Sequence, residues 1–139
     1  RRDVPANKGP TLGEIAHMQE FGSGKIPPRP AFRQAFDSHR DYYAAFLKDT
    51  VGATIDAISG GLGTSWEQAE ALLMQNLKTL GSVHAGDIKM SIRDLKDPIN
   101  ADYTIKKKGS SNPLIDTGRL RQSITYEIVR KRWKTKKGK

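Results

Sequence analysis

The chain has 139 residues, 36% of them apolar and 28% charged, and it has no cysteine. That length suits one domain with a modest core, the lack of cysteine excludes disulfides and thiolate metal sites, and no apolar run approaches the ~20 residues that cross a bilayer. The low apolar share predicts an elongated shape or a surface completed by neighbouring subunits.

The basic start lacks a following apolar stretch, so no signal peptide is expected. The missing initial Met suggests that residues precede Arg1. The formal net charge of +9 is segregated: from Lys106 onward there are 12 Lys/Arg against 2 Asp/Glu, whereas residues 1–105 hold 12 basic and 13 acidic side chains. A segregated excess points to a polyanion nearby.

In chain order, residues 1–10 read as a polar N-terminal arm, residues 11–129 as the core of the domain and residues 130–139 as a basic tail. Thr11-Leu12-Gly13-Glu14 has the form of a capping box and predicts a short helix to Glu20, stopped by Gly22 and Gly24. His17 reads as a partly buried, satisfied group. Ile26-Pro27-Pro28-Arg29-Pro30 must be extended, and Pro30 suits the entry to a second helix.

That helix is expected from Ala31 to Ser59, with an apolar stripe through Phe32, Phe36, Tyr43, Leu47, Val51, Ile55 and Ile58. Asp37-Ser38 is a candidate interruption. Gly60-Gly61-Leu62-Gly63 is a loop and lacks the Gly-Lys-Ser/Thr ending of a phosphate-binding loop. A second capping box, Thr64 with Glu67, opens a third helix whose stripe runs from Trp66 through Leu73, Leu77, Leu80, His84, Ile88 and Ile92 to Leu95. His84 on that stripe reads as packed and hydrogen-bonded. Gly81 and Gly86 inside it each cost roughly 1 kcal/mol against Ala, which implies a close crossing or a bend. The two long helices predict an antiparallel hairpin.

Asp97-Pro98 ends the third helix, and Asn100 is placed to cap a short helix through Ile105. Residues 106–112 read as a basic loop. Asp116 is placed to cap a helix starting at Thr117, with Gly118 in its first turn for close backbone approach and Leu120 and Ile124 on one face. Residues 124–129 alternate β-branched and aromatic side chains and read as a strand, whose partner comes from upstream or from another subunit. The fold expected is therefore α+β: a long antiparallel helical hairpin, short helices and a small sheet using the C-terminal strand.

No catalytic pattern emerges. His17, His39 and His84 lack metal-ligand spacing, no nucleophile elbow occurs, and Asp94 and Asp97 read as helix-end groups. The expectation is a protein that is not an enzyme and takes no cofactor.

Two ordered blocks carry a family resemblance. The first is Glu14-Ile15-Ala16-His17-Met18-Gln19-Glu20-Phe21-Gly22 followed by Ile26-Pro27-Pro28-Arg29-Pro30. The second runs from Thr104 through Lys106-Lys107-Lys108-Gly109 and Pro113-Leu114-Ile115-Asp116-Thr117-Gly118-Arg119-Leu120 to Ser123-Ile124-Thr125-Tyr126-Glu127. Together they resemble the Mu-like phage virion morphogenesis proteins, also described as tail completion or neck proteins. The departure is Ala31-Phe32, where the family pattern has Phe-Leu.

The resemblance implies a structural virion protein that completes the tail and joins it to the head-side neck, located at the neck or top of the tail and assembled in the host cytoplasm. It implies a homo-oligomeric ring, hexameric or dodecameric, around the DNA channel, touching head-tail connector and tail terminator or tube proteins and no membrane. The signature falls on Glu20, Phe21, Gly22, Pro28, Arg29, Pro30, Pro113, Leu114, Asp116, Thr117, Gly118 and Leu120, read as shaping the fold and the subunit contacts. The alternative is an accessory protein that binds nucleic acid non-specifically through Lys106, Lys107, Lys108, Arg130, Lys131, Arg132, Lys134, Lys136, Lys137 and Lys139, with Trp133 stacking. The two overlap if genomic DNA passes a basic ring lining.

Overall fold

The computed structural model describes residues 9–24, 26–60, 63–98, 102–109 and 118–129. Among them are five helices: α1 (Leu12–Phe21), α2 (Ala31–Ser59), α3 (Trp66–Asp94), α4 (Asp102–Lys108) and α5 (Arg119–Ser123). About three quarters of the described residues are helical and no sheet is present, so the expected α+β class is corrected to an all-helical one. The sole β pairing among the described residues is an isolated bridge between Ser23 and Ile26.

The expected strand at 124–129 carries no regular structure. Its alternating side chains serve a different end. Ile124 packs against the core cluster, and Tyr126 lies on Gly81 of α3, where a Cβ would collide with the tyrosine ring. A period-two pattern allows one edge of a segment to rest on a helix as readily as on a sheet, and a strand needs a partner that the described chain does not supply.

The hairpin of α2 and α3 dominates the fold. Each helix has 29 residues, about 43 Å at 1.5 Å per residue. The core lies at one end of the hairpin, its base, where Ala31 and Ala35 of α2, Ile88 and Ile92 of α3 and Leu120 of α5 come together, flanked by Ala16 of α1. Ile92 is fully buried. Further toward the turn only α2 and α3 remain among the described residues, and the contact between them is made by small and polar groups, with Thr50, Thr54 and Ala69 buried. Thr54 returns its hydroxyl proton to the Thr50 carbonyl at 2.8 Å, so burial leaves no orphan donor there.

Sequence signals set most boundaries. Thr11 Oγ1 accepts from Glu14 N at 3.2 Å and the Glu14 carboxylate accepts from Thr11 N at 2.8 Å, the expected capping box. Gly22, with φ at 79°, ends α1. α2 spans the expected range, and Asp37-Ser38 does not interrupt it.

Five expectations on local structure are corrected. The second capping box is Ser65 with Gln68, not Thr64 with Glu67; two overlapping pairs have the same form, and the helix starts one residue later. α5 starts at Arg119 rather than Thr117, with Gly118 ahead of it at φ 72°, a left-handed backbone rather than a site of close approach. Lys106, Lys107 and Lys108 belong to α4 rather than to a loop. Gly86 faces open space, so only Gly81 meets a crossing group, a ring rather than a backbone. His17 is exposed and packs beside Phe21 with ring centroids 4.9 Å apart. The expected caps at Asn100 and Asp116 lie outside the described residues.

Candidate assembly surface

The first block builds the corner between α1 and α2. An α-helix begins with backbone N–H groups that have no partner within it. α2 starts after Pro30, whose side chain makes no cap, and it has no acidic residue in its first turn. Glu20, at the end of α1, supplies what is missing: its two carboxylate oxygens accept from Phe32 N at 3.1 Å and Arg33 N at 3.0 Å. Glu20 as a whole is 8% exposed, and its carboxylate also meets the positive end of the α2 dipole.

Arg29 is buried beside it. Its guanidinium donates to Gln19 Oε1 at 3.1 Å and to the Pro98 carbonyl at 3.2 Å, tying α1 to the segment after α3. Burial pulls its pKa below the usual arginine value, and a guanidinium stays charged through such a shift. Gly22 lies against the stiff segment, where a Cβ would sit 3.0 Å from the Ile26 carbonyl and 3.2 Å from the Pro28 ring. The turn is therefore closed by glycine on one side and proline on the other. Phe21 stays 58% exposed, with the Arg33 guanidinium 5.8 Å from its ring centroid.

The second block reaches the same region. Leu120 is buried among Ala31, Ala35, Ile88 and Ile92, and α5 packs on both α1 and α3. The structure thus brings Glu20, Phe21, Gly22, Pro28, Arg29 and Pro30 together at one corner, with Leu120 under it and Gly118 leading into α5. Pro113, Leu114, Asp116 and Thr117 lie outside the described residues. Of the basic residues, Lys106 and Lys107 are exposed on α4 and Lys108 ends that helix, while Arg130, Lys131, Arg132, Trp133, Lys134, Lys136, Lys137 and Lys139 lie outside the description.

A polar lock joins α2 to α3 halfway up the hairpin. Tyr43 donates its hydroxyl proton to Asp87 Oδ2 at 2.6 Å, and His84 Nδ1 lies 3.0 Å from the same hydroxyl. His84 is packed and hydrogen-bonded, as its place on the stripe suggests, with its ring edge-on to Tyr43. His39 Nδ1 faces the Ala35 carbonyl at 3.1 Å and Asp87 at 3.8 Å. Burial, then the bond to Asp87, pushes the Tyr43 pKa up, so the phenol stays protonated and keeps donating. Among the described residues no three His, Cys, Asp or Glu side chains converge on a possible metal position. The lock fixes the register of the hairpin.

Beyond the lock the hairpin leaves large apolar side chains in water. Leu47, Val51, Ile55 and Ile58 follow one another at helical steps down one side of α2 and are 40–57% exposed. Trp66 is 66% exposed at the start of α3, and Tyr42 and Leu72 are exposed on the other side of the pair. Single exposed apolar residues are ordinary, but a continuous row marks an interaction surface. The depression beside the first turns of α2, lined by Pro30, Arg33, Gln34, Asp37 and Ser38, gathers no comparable set of groups.

Sequence reasoning gave Glu20 no chemical role and missed the Tyr43–Asp87 bond. A signal for the first was available: a long helix opening Ala-Phe-Arg-Gln after proline needs an acceptor from elsewhere. Comparison with protein-family models, with curated proteins and with solved structures found no match.

Proposed function

We propose that this chain is a structural phage virion protein that completes the tail and joins it to the head-side neck, as one subunit of an oligomeric ring around the DNA channel. The observation that carries the reading is the outer half of the hairpin. There, among the described residues, two helices stand without a third layer and leave the row Leu47, Val51, Ile55 and Ile58 exposed. A helix pair with apolar residues on its outer flanks is completed by packing against something else, and repeated copies around an axis provide that covering with one kind of contact.

The two resembling blocks support the same reading, because their described residues form one connected corner beneath the hairpin. Electron microscopy of particles assembled without this protein tests it. Full heads lying apart from finished tails are the expected result, and intact infectious particles would remove the joining role. No chemistry of turnover is invoked. Lys106 and Lys107 place positive charge on the surface of α4, which is compatible with a ring that borders DNA.

A further inference from the structure

We infer that the outward face of α4 is a docking surface for the phosphate backbone of duplex nucleic acid, with Lys106, Lys107 and Tyr103 as its donors. The inference goes beyond the assembly reading and does not depend on it.

The helix itself sets the face. Lys106 and Lys107 follow Tyr103 by three and four residues, so the tyrosine projects between the two lysines on one side of α4. All three are exposed, and Tyr103, at 77%, is the most exposed large apolar side chain among the described residues. Ile105, on the opposite side, is half-buried, as is Thr104 next to it. Asp102 lies at the edge of the face in the first turn, where its charge suits the positive end of the helix. α4 packs against no other described helix, so no helix among the described residues covers this side.

The groups on the face are donors. Each ammonium carries N–H groups and no acceptor, and the phenol adds an O–H. Phosphate oxygens accept from lysine and tyrosine alike. Duplex DNA presents a charge about every 3.4 Å along each strand, a spacing that two lysines on either side of a tyrosine can follow on their flexible stems.

Other polyanions match less well. A helix that lies on a lipid surface carries Leu, Phe or Trp on one face and its charges on the other, whereas here the aromatic residue and the charges share a face. An acidic protein surface would be met by patches of mixed sign, but this part of the sequence is almost wholly of one sign. From Lys106 onward there are 12 Lys/Arg and 2 Asp/Glu. Such a one-sided excess is the electrostatic footprint of nucleic-acid binding.

The test is binding of the full chain to a short random-sequence DNA duplex, read by fluorescence anisotropy over a salt series. Each lysine taken off a phosphate flattens the slope of log K against log salt by ~0.9. Lys106→Gln with Lys107→Gln should therefore bind more weakly than wild type, with a gap that narrows about twelvefold between about 50 and 200 mM salt. Lys48→Gln with Lys78→Gln removes the same charge from exposed positions on the hairpin and should keep the wild-type slope. Tyr103→Phe removes only a hydroxyl and should bind about two- to tenfold more weakly with the slope unchanged, because a neutral group releases no counterion. Lys106→Arg with Lys107→Arg keeps the charge and should retain binding, which separates lost contacts from a damaged fold. A wild-type chain that does not bind the duplex would overturn the proposal. So would an equal loss from the Lys48 and Lys78 pair, or equally tight binding of polyglutamate. Native mass spectrometry of the Lys106→Gln and Lys107→Gln variant should show the wild-type assembly state, so failure at this face and failure of the assembly reading are told apart.

Discussion

Replacing Glu20 with alanine removes both oxygens that accept from the first turn of α2. Those bonds, at 3.1 and 3.0 Å, involve the carboxylate of a residue that is 8% exposed. A hydrogen bond to a charged group contributes about 1.5–3 kcal/mol, and a capping side chain about 1 kcal/mol, with 2 at the upper end. The two bonds share one carboxylate and are not additive, so the expected loss is about 2–3 kcal/mol. For a chain of this size that lowers the melting temperature by about 10 °C. Glu20→Gln keeps the volume but offers one acceptor oxygen and turns an N–H toward the other donor, so it should fall between wild type and alanine. Urea unfolding followed by far-ultraviolet circular dichroism, with an unchanged slope, measures the difference. A loss under about 0.5 kcal/mol, the scale of an ordinary surface substitution, would refute the view that α1 holds the start of α2.

Ile92→Ala, at the fully buried centre of the base cluster, should cost about 2–5 kcal/mol in the same assay. Gly81→Ala gains up to about 1 kcal/mol of helix propensity but displaces the Tyr126 ring. It should therefore be near neutral alone and stabilising in a Tyr126→Ala background, a coupling that a double-mutant cycle reads directly. Ser91→Ala removes a buried hydroxyl with no hydrogen-bond partner and should leave the urea midpoint unchanged or raised. Glu14 is held below the usual carboxylate range, first by the Thr11 N–H and then by its hydroxyl. Its contribution to the α1 cap is present above the ordinary pKa and lost as pH falls through the lowered one. Carboxyl NMR titration should show Glu14 rising only part of the way toward 4.5, the unperturbed value, in Thr11→Ala, which removes the hydroxyl but keeps the backbone N–H.

The long helices were legible because 29 residues give a stripe enough turns to declare its period, and because proline before Ala31 and glycines after Ser59 bound the first of them. Local chemistry was legible where one candidate stood alone, as at Thr11 and Glu14, and ambiguous where two overlapped, as at Thr64–Gln68. The class was misread at 124–129. Alternation specifies that one edge is buried but not what buries it, and here a glycine on α3 opens a seat for Tyr126. Part of the expected α2 stripe was also misassigned. Val51 and Ile55 lie beside the helix interface while Thr50 and Thr54 occupy it, since hydrophobicity alone cannot tell a row that faces a partner helix from one that stays exposed next to it. Glu20, Tyr43 and Asp87 act across distances in sequence that no local motif records.

The central claim is that this hairpin is completed by other copies of the chain. Native mass spectrometry of the purified protein across a dilution series measures it most directly, beside a Val51→Asp and Ile55→Asp double variant that charges the exposed row of α2. The account predicts a closed ring of defined stoichiometry that gives way to monomers in the variant. A wild-type chain that is monomeric at every concentration, and indistinguishable from the variant, would contradict it.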